Sequence, residues 1–505
     1  MIKAKPGDPA LLLRQIQDFL AECRRPAVLE YGEQPVSLLE HRYSLEIRSG
    51  RVGLEVWDEE RCIARRISAI ERLSSGMLDC QVERFAGKPG KLTLLDLDRP
   101  HTIRRSALAG RHHFAEKFRR ILYRQFPGWC VSQLSTGLDL QRSLSSVFPR
   151  ARLERADQII AAVACPAPPD EAALLTYALL WHNHLCHHAE GARPQLCLFL
   201  PEESGTLTAQ RLRWLAPDML HYRLFLFNEH GSAGEVDPRD LGNLETSVSA
   251  RYAVPEISSH IRELLDRIQS LEGVGICAEG NGGLSISCRG LEFARVENGL
   301  IQLGLQDRRV LDPSQNVELE QFAAQISALC ASSGNAQSAM PAYPERWFES
   351  IVRSHLSLID ADLLVQPLHG QVLSFAAIDR DLIDLLGVTS SGRLAVLELK
   401  VSEDIHLPIQ ALDYWMRIRW HAERNELAHL FPGIELDQRP PKLLLIAPAF
   451  SFHPATDTLM RYFSPAILVE RVGVNTAWQK ELKVVLRLRG SETPISHQMS
   501  NYRNL

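Results

Sequence analysis

The chain has 505 residues, enough for about three or four domains at ~100–200 residues each, with 45% apolar, 23% charged and 7% aromatic residues. Its 56 Lys and Arg against 61 Asp and Glu give a net charge of -5, which excludes a protein coated in positive charge but permits a local basic patch. No apolar run approaches the ~18 residues of a membrane span, the N-terminus lacks the apolar core of a signal peptide, and the ten cysteines are scattered without a CxxC. Reduced thiols in a cytoplasmic protein with no membrane partner are the expectation.

In chain order, residues 1–100 read as an accessory module. Leu11, Leu12, Ile16 and Leu20 form a helical stripe, and Tyr43–Trp57 alternates about a turn at Ser49-Gly50, a hairpin. Residues 101–235 read as an α/β domain. Residues 236–340 form a second helix-plus-hairpin module, with a helix near Ile257–Ile268 and a turn at Asn298-Gly299. Ala331–Pro344 is a linker by composition. Residues 341–490 form a second α/β domain, and 491–505 a flexible polar tail.

The two α/β stretches resemble each other. Lys442–Pro448 reads KLLLIAP and Gln195–Pro201 reads QLCLFLP; Arg461–Pro465 reads RYFSP and Arg213–Pro217 reads RWLAP. The separation is 247 or 248 residues, and upstream the helices around Tyr414 and Tyr177, and around Phe348 and Phe118, also correspond. This pattern predicts a domain duplication rather than a solenoid.

The chemistry concentrates in the second copy. ERWFESIVRSHL, from Glu345, is an amphipathic helix carrying Glu349. LIDLLGV places Asp384 among apolar residues, a turn follows at Thr389–Gly392, and RLAVLELKV carries Glu398 and Lys400. Two residues apart on a strand, Glu398 and Lys400 share a face. A hairpin would set Asp384 beside Glu398. Burying two carboxylates is costly unless a cation joins them, and hard oxygen ligands suit Mg2+ or Mn2+. Such an ion can activate water and neutralise a phosphate, and a neighbouring ammonium can stabilise the transition state. These parts serve phosphodiester hydrolysis. The alternatives are a solvated pair on an edge strand, Asp379 or Asp381 in place of Asp384, and Glu345 in place of Glu349.

At this point the sequence resembles the PD-(D/E)XK nuclease superfamily: helix with Glu349, strand with Asp384, then Glu398-Leu399-Lys400, then a helix with Gln410 and Tyr414. IDLLG followed by AVLELK is similar to the C-terminal domain of NucS-type DNA endonucleases. The resemblance covers about residues 341–475. It implies a restriction-endonuclease-like αβββαβ core and a metal held by Asp384, Glu398, the Leu399 backbone carbonyl and Glu349. It further implies Lys400 and Gln410 in catalysis and Tyr414 near the nucleic acid. A decoy, Glu481-Leu482-Lys483, lacks the acidic hairpin before it and reads as a surface edge.

In the first copy the same alignment puts Arg119 at Glu349, Ala162 and Ala164 at Glu398 and Lys400, and Ala173 at Gln410. That copy is expected to be a degenerate nuclease-like fold without metal ligands. Arg104, Arg105, Arg111, Lys117, Arg119, Arg120 and Arg124 lie near its start with one acid, Glu116, and could track a phosphate backbone. A solvated helix face is the plain alternative. HNHLCHH, His182–His188, reads as exposed helix-end histidines. The sequence thus predicts an α/β (mixed α+β) chain of tandem domains. Its expected function is a Mg2+- or Mn2+-dependent endonuclease whose partner is a nucleic acid, DNA by the resemblance, acting on one strand or on single-stranded regions. A non-catalytic nucleic-acid scaffold, an RNA nuclease and a homodimer remain open.

Overall fold

The computed structural model describes residues 8–30, 35–38, 43–48, 50–57, 62–74, 76–83, 89–188, 193–241, 246–249, 258–278, 283–289, 291–304, 309–311, 316–332, 344–376 and 379–490. The expected tail and most of the expected linker lie outside these residues. Among the described residues the architecture is mixed α+β, built on four sheets.

Helix α1 (Pro9–Glu22) is capped by Asp8, whose carboxylate accepts from the Ala10 amide. Its Leu12, Ile16 and Phe19 pack on an antiparallel sheet. That sheet comprises β1 (Pro26–Glu30), β2 (Val36–Ser37), β3 (Tyr43–Arg48), β4 (Arg51–Trp57), β5 (Cys62–Ser74), β6 (Met77–Glu83) and β7 (Pro89–Asp96), in the order β2-β1-β7-β6-β5-β4-β3. The expected hairpin is β3–β4, Arg48 facing Arg51, with Gly50 at φ +72°. The module is larger than a hairpin because the charged, alternating β5 and β6 continue the sheet.

Next come α2 (Pro100–Gln125), β8 (Cys130–Ser135), β9 (Arg150–Arg155), β10 (Gln158–Ala164), α3 (Glu171–His188), β11 (Gln195–Pro201), α4 (Thr206–Leu212), β12 (Tyr222–Phe227) and β13 (Ala233–Val236). Their sheet runs β13-β12-β11-β10-β9-β8. Strand β14 (Thr246–Ser249) follows. The second module holds α5 (Ser259–Gln269), the antiparallel β15 (Val274–Ala278), β16 (Leu284–Cys288), β17 (Leu291–Glu297), β18 (Leu300–Leu303) and β19 (Arg309–Val310), and α6 (Asn316–Ser332). Its Asn298-Gly299 turn, both residues at positive φ, joins β17 to β18 as expected.

The last stretch comprises α7 (Pro344–Ser354), α8 (Leu356–Ile359), β20 (His369–Ala376), β21 (Asp379–Val388), β22 (Leu394–Leu399), α9 (Leu407–Glu423), β23 (Lys442–Pro448), α10 (Thr456–Met460), β24 (Leu468–Val474) and β25 (Val484–Arg489). The sheet order is β14-β20-β21-β22-β23-β24-β25. Strand β14, assigned to the accessory module by sequence, instead pairs with β20, Ser247 facing Phe375. In both stretches three antiparallel strands lead through a helix into a parallel neighbour: β10 pairs β11, and β22 pairs β23, in parallel. A parallel pair needs such a long crossover. Among the described residues no helix is long and apolar enough to cross a membrane.

The chain divides into two compact units. One is Met1–Pro168, Gly191–Glu202 and Phe225–Gly234; the other is Pro169–Glu190, Glu203–Leu224 and Glu235–Leu505. Helices α3 and α4 of the first repeat therefore belong to the unit that holds the second repeat. Inside that unit, Arg213–Pro217 and Arg461–Pro465 meet antiparallel. The Ala216 amide donates to the Tyr462 carbonyl and the Ser464 amide to the Trp214 carbonyl, each at 2.8 Å, with Leu215 opposite Phe463. Leu215 thus faces its own counterpart, Phe463, and the two flanking hydrogen bonds are reciprocal under the same correspondence. Likewise α3 packs on α10 and α4 on α9, reciprocal pairs under the same correspondence. These segments are related by a local twofold axis.

Candidate active site

Strands β21 and β22 pair with Leu385 opposite Leu397, so Asp384 stands opposite Glu398. The connecting turn needs Gly392, at φ +80°, because a Cβ there would lie 2.0 Å from the Glu435 carbonyl oxygen. Leu385, Leu397 and Leu399 pack against Phe348, Val352 and Ile359. Alternation puts Asp384, Glu398 and Lys400 on the opposite face. At the end of the ladder the Leu399 amide donates to Asp384 Oδ2 at 2.9 Å.

Glu398 is 1% exposed, and Lys400 Nζ lies 3.2 Å from its Oε1. Its Oε2 is buried with no hydrogen-bond partner. Burial, and then the Asp384 charge, push the Glu398 carboxyl well above the usual carboxylate range, against the pull of Lys400. Burial likewise pushes Asp384 up to about 6; the Leu399 amide and Lys400 oppose it, while Glu349 and Glu345 add to it. Burial works against the Lys400 ammonium, but Glu398, Asp384 and Glu345 outweigh it and hold its pKa above normal. Two buried carboxyls with one ammonium and an orphaned oxygen form a site short of positive charge.

That shortage fits a divalent cation. Asp384 and Glu398 are the carboxylates that would hold it, beside the Leu399 backbone. Among the described residues no group of three or more His, Cys, Asp or Glu side chains is placed to hold a metal. Glu349 is 8% exposed, and its Oε1 accepts from Arg353 Nε and Nη2 at 2.9 and 2.7 Å. The pair lies against bare backbone: a Cβ on Gly370 would fall 1.1 Å from Arg353 Nη2. Glu349 bears on Asp384, and the exposed Glu345 bears on Asp384, Glu398 and Lys400. The charges of both helical acids are thus felt at Asp384, while the Glu349 carboxylate is engaged by the Arg353 guanidinium. The side chains of Asp379 and Asp381 lie outside the described residues.

On α9, Gln410 Nε2 donates to the Tyr414 hydroxyl at 2.8 Å. Tyr414 is 2% exposed, so the expected nucleic-acid contact is corrected: the phenol orients Gln410 from within the core. The decoy stays on the surface, Lys483 and Glu481 paired at 2.8 Å with side chains 60% and 67% exposed, leading into edge strand β25.

In the first repeat the strand register corrects the sequence alignment by one residue. The Lys400 amide donates to Ile446 and the Cys165 amide to Phe199, residues that correspond. Val163 and Cys165, rather than Ala162 and Ala164, therefore stand at Glu398 and Lys400, and both are buried. Opposite Val163 is Arg150, in the place of Asp384. Its guanidinium donates to the Gly137 and Ser145 carbonyls at 2.7 and 3.1 Å. The carboxylates remain missing under either alignment. Arg119, at the Glu349 position, is exposed and 3.5 Å from Glu116.

Along α2, Lys117, Arg120 and Arg124 share one face, Arg119 lies on the next, and Arg111 donates to Ser146 Oγ at 2.6 Å. The side chains of Arg104 and Arg105 lie outside the described residues. In HNHLCHH, His182 is not an exposed residue: it is 1% exposed and 2.8 Å from the Tyr462 hydroxyl. Sequence reasoning also missed Asp413, whose carboxylate takes Arg211 Nε and Nη2 at 2.7 and 2.6 Å, both side chains buried. Asp413 is the residue before Tyr414 in an otherwise apolar helix turn, and an acid there was the available signal. The chain matches no protein-family model, no curated protein and no solved structure.

Proposed function

We propose that the second repeat is a metal-dependent nuclease of the PD-(D/E)XK type, a DNA endonuclease acting on one strand or on single-stranded regions, in a chain of tandem restriction-endonuclease-like domains. The observation that carries this reading is the Asp384–Glu398–Lys400 cluster, with Glu398 Oε2 buried and unpartnered on a face that otherwise holds apolar residues. A divalent cation would satisfy that oxygen and offset the charge that Lys400 alone leaves uncompensated.

Asp384, Glu398 and the Leu399 carbonyl would hold Mg2+ or Mn2+, which supplies a more acidic water and neutralises charge on the phosphate. Lys400, held at Glu398, presents its ammonium to the attacking water or the developing charge on the phosphoryl oxygens. Gln410 is fixed by Tyr414 on the adjoining helix. Water attacks phosphorus, one P–O ester bond breaks, and the leaving oxygen takes a proton. The products are a phosphomonoester and an alcohol.

The test is cleavage of duplex, single-stranded and branched DNA, and of RNA, with Mg2+, with Mn2+ and with EDTA. Cleavage that requires the metal and is lost in Glu398→Ala is the expected result. Full activity in EDTA rules the mechanism out, and cleavage of RNA alone replaces the substrate.

A further inference from the structure

The basic face of α2 is not a uniformly solvated stripe. His113, Lys117, Arg120 and Arg124 recur at spacings of four, three and four, which places them on one side of the helix. The opposite side is committed to the core through Phe114, Phe118, Ile121 and Leu122. The turn between β12 and β13 is laid along the basic side. Gly231, at φ +72°, approaches until a Cβ would lie 3.6 Å from Ile121, and its carbonyl meets Arg124 Nη1 at 3.4 Å. His230 and Glu229 from this turn complete a cleft of about 160 Å³. That is room for about five waters, or one phosphate group. Glu229 is the one carboxylate among the described residues lining it, against three permanent cations. Lys117 is further fixed over the Phe227 ring at 5.2 Å.

We propose that this cleft binds the phosphate backbone of a nucleic acid, so that the repeat without carboxylates supplies grip rather than chemistry. From His113 to Arg124 the helix rises about 16 Å, the length over which one strand of a duplex presents about five phosphates. Tyr123, 56% exposed on the neighbouring stripe beside Arg119, offers a ring for an unpaired base. A cationic cleft with a stacking ring beside it combines the two elements that single-stranded nucleic acid uses, and this favours a nucleic acid over an acidic peptide. The inference does not depend on cleavage by the second repeat.

The test is fluorescence anisotropy of the full chain with labelled duplex and single-stranded oligonucleotides in EDTA, where hydrolysis by the proposed mechanism is absent, across a salt series. Lys117→Gln/Arg120→Gln/Arg124→Gln should weaken binding about tenfold or more and lower the log–log salt slope by about 3 for duplex, with unchanged circular dichroism and Tm. Arg142→Gln, whose guanidinium is held by Asp139 outside the cleft, should change neither. Glu398→Ala should bind like the native chain even if it no longer cuts. No binding by the native chain, an unchanged slope in the triple variant, or equal competition by poly-glutamate overturns the proposal.

Discussion

Glu398 and Asp384 are held in a state that destabilises the fold. Desolvation raises both, so the native protein prefers them protonated. For Asp384 the rise from 3.8 to about 6 is worth on the order of 3 kcal/mol. A raised acid contributes its stability below the unfolded value and loses it as pH climbs through the folded one. Without metal, then, stability falls between about pH 4 and about pH 6 on account of Asp384. Asp384→Asn should raise the Tm of metal-free protein at pH 7.5, and the gain over the native chain should vanish near pH 4. It should also lose cleavage and the stabilisation that added Mn2+ brings. Thermal melts at both pH values, with and without Mn2+, check this; an equal or lower Tm at pH 7.5 contradicts the account. Lys400→Ala should reduce cleavage about 10²–10³-fold, while Lys483→Ala, on the surface pair, should not. Equal losses would place the site on the wrong strand.

The helix carrying Gln410 and Tyr414 is anchored on its Asp413 side by Arg211 of the first repeat, with Trp214 edge-on to Trp415 at 4.7 Å. Removing one partner of a buried ion pair strands the other charge. Arg211→Ala should therefore cost about 3–5 kcal/mol, and Arg211→Met/Asp413→Leu should recover most of it. Chemical denaturation of the three proteins measures the difference; equal stability of single and double variants would show that the pair is not coupled. Sequence made the Asp384–Glu398 hairpin legible because a single acid and a Glu-x-Lys interrupt otherwise apolar strands, LIDLLGV and LAVLELKV. It missed the register of β10 because QIIAAVA is apolar on both faces and has no period of two to fix it. It undercounted the first sheet because a 13-residue strand carrying four charged side chains, CIARRISAIERLS, looks more like loop than sheet. The Arg211–Asp413 contact joins residues 202 apart, and no local pattern announces it.

At the scale of the whole chain, one repeat keeps two acids and a lysine at the strand positions where the other has Arg150, Val163 and Cys165. A monomer should accordingly cut one strand at a time. With supercoiled plasmid at limiting enzyme, open circles should accumulate before linear product. Linear product without that intermediate, at a rate first order in a monomeric protein, would show two live sites. The meeting of Arg213–Pro217 with Arg461–Pro465 has a consequence for how such a chain can change. When two identical subunits meet about an axis, every substitution is expressed on both sides at once, and a charge placed near the axis confronts its own copy. Once the two halves share a backbone, each side varies alone. Arg211 has acquired Asp413 as its partner, while the counterparts of these two residues are the uncharged Leu459 and Thr176. A salt bridge of one polarity, impossible to place once in an identical pair, commits each half to a fixed side of the contact. That freedom lets one half change at such a position without imposing the same change on the other.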